Sequence, residues 1–390
     1  MIPRLKFSLK ILTCGFTAVS VHAAGTFFGD PPDAHHPWVV HDMNRPQPPI
    51  VTPSAVYGGA PSDATLLFDG TAASLAKWKY EKADDERRAD WFVEDGSLVC
   101  APGAGNLLSR EVFGDCQLHI EWMAPEHSGK SSQARSNSGV FLMEMVEVQI
   151  LDNFKNPTYA DGTAGAVYGV MPPAANALRP AGEWQSYDII YRRPIVREGV
   201  VLDPGSLTVL CNGVVVQDST PLEGGGGFRE RQAPHRGFPG QGRLKLQGHG
   251  DPVHFRNIWF RPLRPRALDG GFDGRLSEEA TRAKRAAIAE DLRRDAAAMN
   301  GLQKAFHLYE SLVYAQSAAA RGEADAIAKT FVDAWLLAEP GDLEQQKHRV
   351  LHLEKALKYM KAHEILPSEH FALPLVESIV KVQGWSDEPH

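Results

Sequence analysis

Between residues 64 and 264 the sequence is a series of short runs of β-branched and aromatic residues, each ended by Gly, Asp, Asn or Pro. Examples are TLLFDG, WFVEDGSLVC, CQLHIEWM, VEVQIL, SYDIIY and VHFRNIWFRPL. Many short strands at such spacing predict an antiparallel sandwich or jelly roll. In LCNGVV, Asn212-Gly213 lies between apolar runs, which is a strong hairpin signal.

The pattern changes after about residue 266. Segments such as SEEATRAKRAAIAEDLRRDAAAM and DLEQQKHRVLHLEKALKYMKA are rich in Ala, Leu, Glu and Lys, with apolar residues at helical spacing. The sequence therefore predicts a mainly β chain, with a β-sandwich over residues 64–265 followed by an all-α helical bundle over residues 266–390. The bundle is a candidate surface for protein contacts or oligomerisation.

The first residues have the pattern of an export signal. Three positive residues (Arg4, Lys6 and Lys10) precede the short apolar run ILTCGFTAVSV, and VHA before Ala24 fits a cleavage site. We predict a signal peptide over residues 1–23 and a mature chain in the periplasm or outside the cell. No later segment approaches the roughly 20 apolar residues of a membrane-spanning helix.

Residues 24–63 are rich in Pro, His and Asp and show no apolar period. We interpret them as a proline-rich extended arm on the surface of the next domain.

The charge pattern and the cysteines narrow the class of protein. The net charge of −7 at pH 7 argues against a nucleic-acid partner, and the basic residues near 282–294 alternate with acidic ones.

Three cysteines remain after the predicted cleavage, so an oxidising compartment would leave at least one unpaired within the chain. Cys100, Cys116 and Cys211 all lie in apolar, strand-like contexts, and we interpret them as buried structural thiols.

The stretch EVQILDN carries the first candidate site residues. Because a strand points successive side chains to opposite faces, Glu147 and Gln149 share one face and Val146, Val148 and Ile150 share the other. Amides and carboxylates pair with sugar hydroxyls, and aromatic faces contact the C–H side of a sugar ring. Further residues of these types, with a few other polar ones, recur beside other predicted strands, namely Asn137, Ser138, Asp152, Asn153, Tyr159, Asp161, Tyr168, Trp184, Gln247, His249 and Arg256.

A family resemblance is carried by landmarks that occur in a fixed order. They are LLFDG, WFVEDGSLV, NLLSREVFGDCQLHIEW, NSGVFL, EVQILDN, AGAVYG, GEWQSYDIIYR, LTVLCNGVVVQD and LKLQGHGDPVHFRNIWFRPL. Over about residues 64–264 the sequence resembles the secreted bacterial 3-keto-disaccharide hydrolases, also described as 3-keto-glucoside 1,2-lyase/3-keto-2-hydroxy-glucal hydratases. The resemblance implies a concanavalin-like β-sandwich with a concave sugar-binding face. It also implies 3-keto mono- or disaccharide glycosides as substrates.

The resemblance further implies a reaction. A ketone at C3 acidifies the C2 hydrogen, so a base can form an enolate, and expulsion of the C1 substituent then gives a 2-hydroxy-glucal. Addition of water completes net glycoside cleavage. Such a site needs a base, an acid and a partner for the oxyanion. Glu147 and His249 are the base and acid candidates, in either order, and Arg256 or a divalent metal such as calcium would stabilise the oxyanion. The candidates for binding the sugar are Asn137, Gln149, Asp152, Tyr168, Trp184, Gln247 and Arg256.

Two other functions remain open from the sequence. Sandwich glycosidases with two carboxylates present an E-x-D-x-x-E strand, whereas this chain has Glu147, Gln149 and Asp152 at those positions, with an amide in place of the middle carboxylate. A non-catalytic carbohydrate-binding module would use the same amides and aromatics, with the helices binding a partner. The long Gly- and Arg-rich loop at 223–241 is interpreted as one wall of the cleft.

Overall fold

The computed structural model describes residues 26–82, 90–126, 129–271, 276–337 and 340–385. The predicted signal peptide lies outside these residues. The chain divides into two compact units, one of Pro49–Asp273 and the other of Met1–Pro48 with Gly274–His390. The first contains the strands and the second contains the long helices.

The described strands are short, as the sequence predicts. Their bounds are β1 (Thr65–Phe68), β2 (Trp78–Tyr80), β3 (Phe92–Glu94), β4 (Ser97–Val99), β5 (Leu107–Phe113), β6 (Cys116–Met123), β7 (Ser138–Leu142), β8 (Val146–Ile150), β9 (Gln185–Arg192), β10 (Ile195–Arg197), β11 (Val200–Asp203), β12 (Ser206–Cys211), β13 (Val214–Pro221), β14 (Gly226–Gly227), β15 (Glu230–Arg231), β16 (Gly242–Leu246) and β17 (His254–Pro262). Short 3₁₀ helices lie at Ala72–Lys77, Ser132–Ala134, Ala160–Gly162 and Ala267–Asp269.

Within the described residues the strands form two main antiparallel sheets. The eight-stranded sheet has the order β13-β12-β9-β6-β17-β4-β3, with β1 also paired to β17, and the five-stranded sheet has the order β2-β5-β16-β7-β8. β10-β11 and β14-β15 form separate ribbons. Side chains from both sheets share one core, including Trp122 and Phe255 from the first and Val140, Val148 and Leu246 from the second. The predicted β-sandwich is confirmed.

The second unit is built on the helices α1 (Glu278–Ala296), α2 (Gly301–Tyr314), α3 (Ala318–Leu336), α4 (Pro340–Ala362) and α5 (Ala372–Gln383). Ser277 and Ser317 cap α1 and α3, each accepting a hydrogen bond from a backbone N–H at 3.2 Å. The predicted helical C-terminal region is confirmed. In the part of the chain that the structure describes, no helix is long and apolar enough to cross a bilayer.

The predicted arm is divided between the two units. Its first part contributes Phe27 and Val39 to the helical core, and both side chains are buried. Its second part lies on the sandwich, where the Gly58 carbonyl accepts hydrogen bonds from the side chains of Asn257 and Trp259, each at 2.8 Å. The sequence does not reveal this division, because two isolated apolar residues produce no hydrophobic periodicity.

Two carboxyl groups are buried together where the first part of the arm meets α2. Asp42 accepts hydrogen bonds from the Thr26 hydroxyl at 3.2 Å and from the Tyr314 hydroxyl. Glu310 is fully buried and accepts from the Thr26 backbone N–H at 3.4 Å. Burial, with the charge of Asp42, raises the pKa of Glu310 to about 7, and burial raises the pKa of Asp42. The attachment of this segment is therefore coupled to protonation.

The three predicted structural cysteines are all buried in the sandwich. Cys100, Cys116 and Cys211 form no disulfide with one another. Burial raises the pKa of both Cys100 and Cys211 to about 12, so these thiols stay protonated and are poor nucleophiles.

Candidate active site

Strand β8 presents its polar residues on the outer face of the five-stranded sheet. Val148 and Ile150 are buried in the core, so Glu147 and Gln149 lie on the opposite face, as the alternation predicts. The strand is also anchored across the core, because the Tyr187 hydroxyl of β9 donates to the Gln149 carbonyl at 2.8 Å. Packing of the sandwich thus fixes the direction in which Glu147 points.

The pairing of the strands places Glu147 in a row of side chains on this face. Glu147 is opposite Phe141 of β7, and Phe141 is opposite Lys245 of β16. On the other side of β8, the Tyr168 backbone N–H donates to the Glu147 carbonyl at 3.1 Å. The row therefore reads Lys245, Phe141, Glu147 and Tyr168.

A second row runs beside the first and contains two amides. Gly139 of β7 is opposite Gln149, and the Gln247 backbone N–H donates to the Gly139 carbonyl at 3.0 Å. A Cβ atom on Gly139 would lie 2.2 Å from Glu147 Oε1, so only glycine lets the carboxylate lie across β7. We call Glu147, Gln149, Tyr168, Lys245 and Gln247 the Glu147 cluster.

The environment of Glu147 suits proton transfer. Burial raises the pKa of its carboxyl group to about 8, against the opposing effect of the Lys245 charge. One end of the Gln149 amide lies 3.2 Å from Glu147 Oε1. The amide can be turned to donate to the carboxylate or to accept from the protonated acid. Near neutral pH the group can therefore take up or release a proton.

Lys245 supplies positive charge to the cluster and is held in place by its neighbours. Its Nζ lies 4.2 Å from the centroid of the Phe141 ring and 3.3 Å from Glu81 Oε1. Asn106 Nδ2 in turn donates to Glu81 Oε2 at 2.7 Å. Because the Lys245 side chain is only 14% exposed, its charge is weakly screened.

Sequence reasoning missed Lys245 and Glu81. The signal for Lys245 was present in GRLKLQG, where Lys245 alternates with the core residues Leu244 and Leu246 and so shares a face with Gln247. Glu81 follows β2 and carries no comparable pattern.

Tyr168 forms one edge of the cluster. Its hydroxyl lies 3.2 Å from the Tyr159 hydroxyl. Burial, the hydrogen bond with Tyr159 and the charge of Glu147 all raise the pKa of Tyr168. The phenol therefore stays protonated and can donate a hydrogen bond, but it is not a strong acid.

Two other residues predicted to bind the sugar instead form hydrogen bonds within the protein. Asp152 Oδ2 accepts from Arg135 Nε at 2.6 Å, and Asn137 Nδ2 donates to the Gln133 carbonyl at 3.0 Å. Both side chains are buried. Their contacts fix the loop between β6 and β7 and the chain after β8, rather than leaving these groups open to a sugar.

Arg256 and Trp184 lie on the other side of the sandwich. Phe255 points into the core, so its neighbour Arg256 points outward from the eight-stranded sheet. The Arg256 guanidinium lies 4.0 Å above the Trp184 ring, and its Nε donates to Glu121 Oε2 at 2.6 Å. This placement corrects the expectation that these two residues share the site of Glu147 or stabilise an oxyanion there.

His249 is exposed, two residues beyond Gln247. Its ring forms no hydrogen bond with any residue in the described ranges. No hydrogen bond or ion pair among the described residues joins it to Glu147, so its acid–base role stays a prediction.

The sequence also left a divalent metal open. Among the residues that the structure describes, no three His, Cys, Asp or Glu side chains are arranged to hold a metal ion.

One family model matches the sandwich part of the chain, and solved structures resemble the same part. A model of the 3-keto-alpha-glucoside-1,2-lyase-like domain matches residues 63–261. A Parabacteroides distasonis protein of known structure, provisionally described as a glycosyl hydrolase, is 40% identical with a TM-score of 0.51, and the match covers 60% of this chain and 100% of that one. A second such protein from that organism is 21% identical with a TM-score of 0.38, over 52% of this chain and 94% of its own. None of the proteins with curated descriptions matches significantly. The chain belongs to the 3-keto-alpha-glucoside-1,2-lyase-like family.

Proposed function

We propose that this protein cleaves 3-keto-glycosides by removing the C2 proton and expelling the C1 substituent, and that it hydrates the resulting 3-keto-2-hydroxy-glucal. The observation that carries the proposal is the Glu147 carboxyl group, whose burial raises its pKa to about 8 on a face that also carries Lys245 and two amides. The family supports a carbohydrate-active enzyme. We also propose that it works in the periplasm or outside the cell.

Glu147 is the base in the first step. Its carboxylate takes the C2 proton, and the electrons of the C–H bond form the C2=C3 double bond of an enolate. A C–H adjacent to a ketone is a weak acid, so a carboxylate with a raised pKa is a better base than an exposed one, while remaining partly ionised near neutral pH. The raised pKa of Glu147 meets both requirements.

Lys245 stabilises the negative charge that develops on the C3 oxygen. Its ammonium group is already held by Glu81 and by the Phe141 ring, so little reorganisation accompanies the reaction. Gln247 lies beside Gly139 in the second row, and its buried Oε1 accepts no hydrogen bond from the described residues. If the amide turns outward when a sugar binds, a sugar hydroxyl would satisfy that oxygen.

The second step expels the C1 substituent. The enolate electrons reform the C3 ketone, the C1=C2 double bond forms and the bond from C1 to the leaving oxygen breaks. The protonated Tyr168 hydroxyl beside Glu147 can hydrogen-bond the leaving oxygen, and the proton held by Glu147 is returned to it. Hydration runs through the same groups in the opposite sense. Water adds its oxygen to C1, and C2 regains a proton.

The proton-transfer role of Glu147 predicts a specific pH dependence. Below its raised pKa the carboxyl group is protonated and cannot act as a base, so kcat/KM should rise with pH, reach half its maximum near pH 8 and level off above that. The rise should approach about tenfold per pH unit on the acid side. Initial rates on a 3-keto-glucoside in a constant-ionic-strength buffer series would measure this. A flat profile from weakly acidic to weakly basic pH would contradict the assignment of the base.

The function is tested by incubating the purified protein with a 3-keto-glucoside, with and without a chelator, and analysing the products by mass spectrometry. We expect the glucal, the hydrated 3-keto sugar or both. Activity on unoxidised glucosides would favour a two-carboxylate glycosidase, and binding without any product would favour a non-catalytic module. Export is tested separately by the N-terminal sequence of the secreted chain, which should begin at Ala24.

A further inference from the structure

A cavity beside the Glu147 cluster has no role in the chemistry above. Its volume is about 410 Å³, which falls in the range of small-molecule sites. Tyr168 lines this cavity and also stands next to Glu147, so the cavity continues from the edge of the proposed site. The other lining residues are Tyr159, Asp161, Gly169, Gly227, Phe228, Arg229, Glu230 and Arg231.

The outer wall of the cavity is the β14-β15 ribbon, and glycines let it approach Tyr168. A Cβ atom on Gly226 would lie 2.0 Å from the Tyr168 carbonyl oxygen. A Cβ atom on Gly169 would lie 3.1 Å from the Gly227 carbonyl oxygen. Backbone atoms therefore meet at distances that side chains would prevent. The position of the ribbon depends on Gly226 in particular.

The base of the ribbon is also fixed. The Gln232 backbone N–H donates to the Gly225 carbonyl at 3.1 Å, and Arg236 Nη2 donates to the Met145 carbonyl at 3.0 Å. Met145 immediately precedes β8. The ribbon is thus tied to the strand that carries Glu147, so the cavity is a built part of this face.

Aromatic surfaces are exposed at the cavity. Phe228 is 69% exposed and Tyr159 is 46% exposed. The Arg229 guanidinium lies 4.9 Å from the centroid of the Phe228 ring and supports that ring from one side. Exposed aromatic faces beside Asp161 and Glu230 provide stacking and hydrogen bonding together, which suits a ring with one apolar face and polar edges.

We propose that this cavity is the leaving-group subsite, and that it binds the C1 substituent of a glycoside when that substituent is a ring with a flat apolar face. Both a second hexose and an aryl group have such a face. The inference rests on the proposed function, because it assumes that the 3-keto ring lies over the Glu147 cluster and that its C1 side faces Tyr168. Phe228 and Tyr159 are then specificity-determining residues.

The test compares three substrates, namely a 3-keto-disaccharide, phenyl 3-keto-glucoside and methyl 3-keto-glucoside. In the Phe228→Ala variant, the ratio of kcat/KM for a ring-bearing substrate to kcat/KM for the methyl glycoside should fall about 3- to 10-fold, as expected for one lost stacking contact. A fall for both ring-bearing substrates supports a general ring site, and a fall for one identifies the preferred ring. Val200→Ala, at an exposed position on β11, is the control and should leave every ratio unchanged. An unchanged ratio in Phe228→Ala would overturn the subsite.

Failure of the proposed function can be distinguished from failure of the subsite. If the wild-type protein turns over none of the three compounds, that function is wrong, and saturation-transfer NMR of phenyl 3-keto-glucoside still tests the subsite. Transfer to the phenyl protons that weakens in Phe228→Ala would support it. Equal transfer in both proteins, or none in either, would overturn it.

Discussion

Replacing Glu147 by Gln is expected to lower kcat for 3-keto-glycoside cleavage by about 100- to 10,000-fold, the range that a positioned acid–base group contributes. Glutamine keeps the shape and the hydrogen-bonding reach of the side chain over Gly139 but cannot accept the C2 proton. The fold should be unaffected, because the only group that changes already favours its uncharged form at neutral pH. Steady-state rates with phenyl 3-keto-glucoside measure the loss.

Glu144→Gln is the matched control for this variant. Glu144 is exposed in the turn between β7 and β8, three residues from Glu147, so the same chemical change there should leave the rate unchanged. A second measurement follows proton exchange at C2 of the substrate in deuterated water, which should disappear in Glu147→Gln. Full activity of Glu147→Gln would remove this residue from the mechanism.

Replacing Lys245 by Met is expected to lower kcat by about 100- to 1,000-fold, the loss seen when one preorganised group at an oxyanion is removed. The methionine keeps most of the packing of the lysine stem against Phe141 but removes the positive charge. The lost charge should also raise the pKa of Glu147 further, because Lys245 now lowers it. The acid limb of the pH–rate profile should therefore move to higher pH, which a purely structural role would not cause.

Lys155→Met is the control for the charge change, since Lys155 is exposed elsewhere on the sandwich. Lys245→Arg keeps the charge but places it on a larger, planar group, so it should recover only part of the rate. The idea fails if Lys245→Met lowers the rate only by lowering the thermal unfolding midpoint, with the pH profile unchanged.

Much of the fold was predictable from local pattern. The period of two in EVQIL gave both the core face of β8 and the polar face with Glu147 and Gln149, because each residue on a strand faces the side opposite to its neighbour. The change to helical spacing likewise gave the C-terminal helices. These signals lie within a few residues of one another.

The composition of the site depends on contacts that are distant in sequence. Alternation shows that Arg256 faces outward, but only the order of the strands shows that its sheet is not the sheet of Glu147. Asp152 resembles a sugar-binding residue until its ion-pair partner Arg135 is known. Lys245 resembles an ordinary surface lysine until β16 is placed next to β7. Each answer requires the pairing of strands, which a single sequence does not display.

The attachment of the N-terminal segment to α2 depends on the protonation of two buried carboxyl groups, those of Asp42 and Glu310. A carboxyl group whose folded-state pKa is raised stabilises the fold fully below its unfolded pKa, and this stabilisation is lost as the pH rises toward the folded value, about 7 for Glu310. The attachment should therefore be weaker at alkaline pH and stronger at mildly acidic pH. The Glu147 carboxyl group is mostly ionised only above about pH 8, so the conditions that favour proton abstraction are also those in which this attachment is weakest.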